Sequence, residues 1–384
     1  MSKTPGPGGV GSTFLTQLHQ LTTKTTTTTT KPSRFSGAEN INLVAVLRSK
    51  SSLRAPSIDS PLSLEGWSRE EGNQPAIEPE QLTTWLTSTY PPPHRSIIII
   101  DTTSSSLIAE SYPLFLRSGI HVVTANKKAF SSGQSLFDEI YRITTADPHH
   151  PLVYHESSVG AGMPILSTLR ELLATGDRVH KIEGVMSGSL SFLFNNFMPL
   201  TNKQELLPWS SHVLEAQRLG YTEPDPRDDL SGLDVARKLV ILARVAGMKI
   251  DGPDAFPVQS LIPKPLAHVG DAEEFLKRLP AFDQEMEALR LEAEAEGEGE
   301  GEGKVLRYVG TADLDSGQIE VKMVRVARES PFAGLRGSAN LFAFWTERYG
   351  SEPLVVQGAG AGAEVTAMGV MGDLIKVIER VGME

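Results

Sequence analysis

Between residues 220 and 238 the chain reads GYTEPDPRDDLSGLDVARK, five carboxylates, two prolines and three cations leading straight into the apolar run LVILARVAG. Pro224 and Pro226 keep TEPDP out of a helix and hold Glu223 and Asp225 on an extended turn. Asp228 and Asp229 fall where the first N–H groups of a helix favour carboxylates. Asp234 and Lys238 stand one helical turn apart, and Ile241, Leu242 and Val245 continue the lysine's face, while Arg237 and Arg244 are expected to face solvent. As an exposed i, i+4 ion pair, Asp234 and Lys238 would contribute only about 0.3 kcal/mol. A lysine on an apolar stripe with an aspartate one turn before it is instead suited to proton transfer, and the acids around it offer a seat for an ammonium group.

These groups need elements to position them. In GPGGVGSTFLTQLHQL, Gly6, Gly8 and Gly11 have G-x-G-x-x-G spacing, with Gly9 and Val10 inside the loop, ahead of an apolar helix. Such a loop lets a diphosphate approach bare backbone at a helix N-terminus, although an ordinary Gly-rich turn has the same composition. The Thr-rich stretch 22–32 reads as a low-complexity loop, INLVAVLRS (41–49) as a buried strand, and residues 50–80 as a polar, mobile insertion. SIIIIDTTSS (96–105) and GIHVVTANKK (119–128) are further strands alternating with helical stretches, which predicts a Rossmann-type, doubly wound parallel sheet. Ligands of such sheets lie beyond the carboxyl ends of the strands, where Thr103 and Asn126–Lys127 fall.

From about residue 150 the texture changes to an α+β pattern. VYHESSVGAGMPILSTLRELLATGD reads as strand, Gly turn and a helix closed by Gly176, and KIEGVMSGSLSFLFNNF as a strand entering a Ser/Gly turn and helix. A long amphipathic helix is expected over 271–291, followed by a solvated acidic tail, and a hairpin over 304–326 with Asp-Ser-Gly at its turn. A strand, a Gly/Ala loop and a helix close the chain. The expected division is 1–155 for dinucleotide binding, 156–345 for substrate binding and dimerisation, and 346–384 returning to the first domain.

Composition narrows the chemistry. The 384 residues suit two domains, and a formal charge of −11 argues against a general nucleic-acid binder. No apolar run is long enough to cross a bilayer, and the N-terminus has neither the apolar core of a secretory signal nor the arginines of a transit peptide, so a cytoplasmic location is expected. Zero cysteines exclude disulfides, zinc–thiolate sites and any thiol nucleophile. Aldehyde chemistry here cannot pass through a thiohemiacetal.

The stretch 220–238, together with FPVQSLIPKPL, TANKKAFSS, VYHESSVGAGMPI, KIEGVMSGSLSFLFN and VVQGAGAGAEVTA in their order, closely resembles the fungal, monofunctional homoserine dehydrogenases. The resemblance runs from Gly6 to the C-terminus, with GSL where relatives more often have Gly-Thr-Leu. It implies NAD(P)-dependent interconversion of L-aspartate 4-semialdehyde and L-homoserine, on the route to threonine and methionine, by a homodimer. It places Lys238 as proton donor to the alkoxide that forms as hydride arrives, with Asp234 orienting it and Lys127 as a second cation near cofactor and substrate. It assigns Glu223 and Asp229 to the substrate ammonium, and Gly188, Ser189 and Tyr221 to further substrate contacts. Gly220 and Gly362 join the Gly6–Gly11 loop and Thr103 on the cofactor side. Glu156 with the carbonyls of Val159, Ala161 and Met163 is implied to hold a monovalent cation, sodium. At the end of INLVAVLRS, Arg48 and Ser49 stand where a strict NAD enzyme usually carries an acid, so a 2′-phosphate should be accepted; an ordinary surface arginine would look the same.

A Rossmann unit also needs an apolar strand feeding its Gly loop, and only MSKTP precedes Gly6. The first strand is therefore expected to be truncated. A second reading follows, a catalytically impaired homologue that dimerises but binds cofactor poorly. Another keeps the enzyme and changes the substrate to a different amino-acid-derived carbonyl compound.

Overall fold

The computed structural model describes residues 8–27, 41–57, 59–67, 72, 74–91, 96–146, 150–200, 206–296 and 303–382. Gly6 and the residues before it, expected to form a truncated strand, lie outside this set. The chain divides into two units, one of Met1–Gly162 with Gly362–Glu384, the other of Met163–Ala361.

Runs of Ile and Val build the parallel sheet of the first unit, because β-branched side chains suit a pleated surface; Val122, Val123 and Thr124 are buried, while Ile98, Ile99 and Ile100 are half-buried. Its described strands number three among eleven along the chain: β1 (Ala45–Leu47), β2 (Ser51–Arg54), β3 (Gln74–Pro75), β4 (Ile98–Asp101), β5 (His121–Thr124), β6 (Val153–Tyr154), β7 (Val179–Val185), β8 (Val305–Asp313), β9 (Ile319–Val326), β10 (Ala339–Thr346) and β11 (Leu354–Ala359). β4, β5 and β6 pair in parallel in that order, with Asp101 opposite Thr124. All three carboxyl ends therefore release their loops at one edge, and this is the α/β arrangement the alternating pattern predicts. Helices Gly8–Thr27 and Ala363–Val381 pack together, Phe14, Leu15 and Leu18 against Ala367, Val370, Met371 and Leu374, at the three- and four-residue spacing of helix stripes.

Two expectations fail in this unit. The stretch 41–49 is not one long buried strand: β1 has three residues, only Val46 is buried, and Arg48 N donates to Ser51 O (2.9 Å) as the chain reverses into antiparallel β2. The polar residues 49–52 favour that reversal over continuation. Nor is 50–80 a mobile insertion throughout, because Leu53 and Trp67 are buried with Val46 in the core shared by the two long helices. Isolated apolar residues in a polar stretch carry no periodic signal, yet burying one large side chain is worth about 2 kcal/mol.

In the second unit an antiparallel sheet runs in the order β11-β10-β7-β8-β9. β11 pairs with β10 along its whole length, so residues 346–361, expected with the first domain, belong to the second. β8 carries Arg307, which is 1% exposed; its guanidinium donates to the carbonyls of Phe194, Met198, Leu306, Phe332 and Ala333, and burial pulls its pKa down to about 10. The cation sits at the C-terminal end of helix Gly188–Phe197, where the helix dipole favours it. The helix expected over 271–291 is broken into Ala272–Arg278, a 3-10 turn Leu279–Phe282 and Asp283–Ala295. Pro280 supplies no N–H to a continuous helix. None of the described helices is long and apolar enough to cross a membrane.

Candidate active site

Lys238 is the best-defined group of the second unit. It is 6% exposed on helix Leu233–Val245, in a stretch where Val235, Leu239 and Leu242 are all but inaccessible. Its Nζ lies 2.8 Å from Asp234 Oδ2 and donates to Met186 O at 2.6 Å. Asp234 remains half exposed, so the pair joins a buried cation to an open carboxylate. Arg244 is not on a solvent face as its spacing from Arg237 suggested. It is 3% exposed, with Nε and Nη2 donating to Ile250 O at 3.1 and 2.6 Å, because this helix is enclosed on nearly all sides.

The Met186 carbonyl that accepts the Lys238 hydrogen bond lies just past β7, and the chain then turns through Ser187, whose Oγ caps helix Gly188–Phe197 by accepting from Leu190 N. Gly188 and Ser189 thus open this helix beside the lysine's anchor. Ser189 Oγ lies 2.6 Å from Asp229 Oδ1 and 2.7 Å from Tyr221 O, while Asp229 Oδ2 accepts from Glu223 N at 2.8 Å. Burial raises the Asp229 carboxyl pKa; the Ser189 and Glu223 hydrogen bonds pull it back, and Asp234 and Asp228 add to the rise. The Tyr221 ring stacks on Phe192 with centroids 4.4 Å apart.

The charge at the mouth of this helix therefore has separate uses. Arg227 clamps Asp225 through Nε and Nη2 and donates its Nη1 to Val269 O, which holds the Asp225 carboxyl below its usual range. Asp228 faces solvent. Asp229 is committed to Ser189 and Asp234 to Lys238, while the Glu223 side chain is exposed. Gly220 closes helix Trp209–Arg218 in a left-handed conformation (φ 74°), with its N–H on Gln217 O and Tyr221 N on Ala216 O.

In the first unit, Gly9, Val10 and Gly11 lie in the first turn of helix Gly8–Thr27, which the chain enters at Gly8 in a left-handed conformation (φ 68°); Gly6, the first glycine of the spacing, lies outside the described residues. The first four N–H groups of a helix have no partner within it, and at Gly8 and Gly9 no atom of the described residues lies within 4 Å of where a Cβ would stand. Bare backbone at a helix start is the chemistry a diphosphate needs. Thr103 is exposed after β4 and Lys127 half-buried after β5, both at the carboxyl edge. Arg48 Nη2 donates to Trp67 O at 3.4 Å. Gly362 (φ 115°) precedes helix Ala363–Val381, and its carbonyl accepts from Thr366 N and Oγ1.

Glu156 is buried in the turn Glu156–Ser158, its N–H donating to Asp373 Oδ2 (2.7 Å) and its carboxylate 3.8 Å from Lys376 Nζ. Val159 and Ala161 (φ 56°) follow in the same loop, and Met163 O accepts from Ile165 N at 2.9 Å. Among the described residues no group of three or more His, Cys, Asp or Glu is arranged to hold a metal, so a cation here would depend on backbone carbonyls. Sequence reasoning missed Met186, whose contribution is a carbonyl that any residue supplies, and the buried pair Asp101 and Tyr112, joined by a hydrogen bond of 2.6 Å.

Comparison with known proteins adds to this geometry. The family model described as "Homoserine dehydrogenase" matches residues 164–375, and the one described as "Homoserine dehydrogenase, NAD binding domain" matches 6–153. The chain is 47% identical to the homoserine dehydrogenase of Paracoccidioides brasiliensis, over 98% of this chain and 96% of that protein. It is 43% identical to that of Schizosaccharomyces pombe, over 98% and 94%. A crystal structure of a Candida auris protein of unknown function is 40% identical, covers 97% of this chain and 96% of its own, and superposes with a TM-score of 0.85. A hyperthermophilic archaeal homoserine dehydrogenase solved in complex with NADPH shares the fold at 21% identity, over 97% and 95% of the two chains, with a TM-score of 0.64.

Proposed function

The chain belongs to the homoserine dehydrogenase family, and from that premise we propose a role for each group of the site in its reaction. The enzyme is an NAD(P)-dependent oxidoreductase that interconverts L-aspartate 4-semialdehyde and L-homoserine. Bound dinucleotide supplies or accepts the hydride. Lys238 donates a proton to the aldehyde oxygen as it becomes an alkoxide, and takes it back in the reverse direction. Asp234 and Met186 O hold the Lys238 ammonium in place, and this buried lysine, fixed by a carboxylate and a carbonyl, is the observation that carries the reading. Asp229 and Glu223 receive the substrate ammonium, with Ser189, Gly188 and Tyr221 bounding that end. Gly8–Gly11, Thr103, Lys127 and Gly362 serve the cofactor. Glu156 and the carbonyls of Val159, Ala161 and Met163 make an all-oxygen donor set suited to sodium, with Lys376 close enough to compete for the carboxylate. A cytoplasmic homodimer is the expected working form.

Purified protein should reduce NADP⁺ in the presence of L-homoserine and leave it unchanged with L-serine or L-threonine. Equal rates with another hydroxy amino acid would reject the substrate assignment. No comparison favours the catalytically impaired reading.

Acceptance of NADPH points to Arg48. Arg48→Ala should raise KM for NADPH about 10-fold and KM for NADH less than twofold, the loss of one charge-assisted phosphate contact. Parallel changes in both constants would assign Arg48 a structural role, its bond to Trp67 O included, and none toward the 2′-phosphate.

A further inference from the structure

At the carboxyl ends of β4 and β5, Asp101 is 3% exposed, and among the described residues its carboxylate accepts only from uncharged donors. Three donors converge on it: Thr103 N on Oδ1 at 2.8 Å, Tyr112 Oη on Oδ2 at 2.6 Å, and Asn126 Nδ2 on Oδ2 at 3.0 Å. Asn126 is itself spoken for, donating also to Ser105 O at 2.9 Å and accepting from Lys128 N at 3.1 Å. Thr124 Oγ1 accepts from Asn126 N and lies 2.8 Å from the Tyr112 hydroxyl, whose burial and proximity to Asp101 keep it protonated.

A buried carboxylate costs desolvation that an apolar residue of similar size would not. What it supplies in return is geometry. One end of the network is the turn through Thr103, the other the turn through Asn126, Lys127 and Lys128, and these two loops leave adjacent parallel strands at the edge where such sheets bind ligands. We infer that Asp101, backed by Tyr112, is a positioning residue that locks the two cofactor loops in register and so sets the affinity for the dinucleotide. The inference rests on the reading of this unit as the cofactor-binding one.

An aspartate fits because three donors need acceptors only. In Asp101→Asn, the amide NH₂ must face either Thr103 N–H or the Tyr112–Asn126 pair, and either orientation sets donor against donor. Asp101→Asn should therefore weaken NADPH binding about 10-fold, in fluorescence titration and in KM, while kcat at saturating NADPH and KM for homoserine stay within about twofold. Tyr112→Phe, which keeps the ring and removes one donor, should weaken it about 3-fold. Unchanged NADPH affinity in Asp101→Asn overturns the inference. So does a fall in kcat with unchanged NADPH affinity, which is the signature of lost folded protein. If Asp101→Asn does not fold, Tyr112→Phe decides on the same readouts. Wild-type protein that takes up no NADPH would overturn the cofactor reading, and this inference with it; normal wild-type uptake with unaffected variants would overturn the inference alone.

Discussion

Lys238→Met should keep its affinity for NADPH and lose turnover by roughly 10²-fold or more. Methionine matches most of the lysine stem and fills the same buried space, while the ammonium that bridges Asp234 Oδ2 and Met186 O is gone. The loss should appear in kcat, because proton transfer to the alkoxide is made in the transition state. Asp234→Asn should lose less, since the Met186 carbonyl still aims the lysine. Measuring kcat, KM for both substrates and NADPH binding on the two variants separates the roles. Turnover near wild type in Lys238→Met would remove it from the chemistry.

The largest structural effect is expected at Gly232, the residue before helix Leu233–Val245. Its φ of 75° is left-handed, and a Cβ there would stand 2.0 Å from Tyr308 Oη and 3.1 Å from Val258 Cγ1. Tyr308 cannot step aside: it is 1% exposed, and its hydroxyl donates to Gln259 O at 2.6 Å. Burial also raises the Tyr308 pKa, which keeps that donor protonated. Gly232→Ala combines a left-handed backbone cost of about 1 kcal/mol, overpacking of about 2 kcal/mol and the loss of a buried hydrogen bond of about 1 kcal/mol. A loss of about 4 kcal/mol should lower the melting temperature by roughly 10 °C. Because Asp234 and Lys238 lie on the helix that Gly232 starts, the folded fraction should also turn over more slowly. Adding Tyr308→Phe frees the space and should recover part of the loss, a coupling that a double-mutant cycle reads directly. A Gly232→Ala protein with unchanged melting temperature would refute the steric account.

The sequence by itself determined the local parts of this enzyme. Period-2 and 3.6 patterns, capping residues and turn chemistry act over a few residues, so the 304–326 hairpin, the helix opened by Ser187 and the Asp234–Lys238 pair were all legible. The resemblance carried by 220–238 led to the family in the same way. Tertiary structure decided the partners. Ser189 meets Asp229 across 40 residues and Lys238 meets Met186 across 52, and no local pattern encodes which carbonyl a buried ammonium will reach. Arg244 has the spacing of a surface residue, and only the packing around its helix shows that its guanidinium is enclosed on Ile250 O. Trp67 lies in a polar stretch with no periodic pattern, and it is buried because it packs in the core with the helices Gly8–Thr27 and Ala363–Val381. Asp101 read as the end of a strand; its carboxylate became a junction because parallel pairing set β5 beside β4 and brought Asn126 within 3.0 Å, a contact between residues 25 apart in the chain. Hydrogen bonds and burial depend on three-dimensional neighbours, and those neighbours exist only once the sheet has closed.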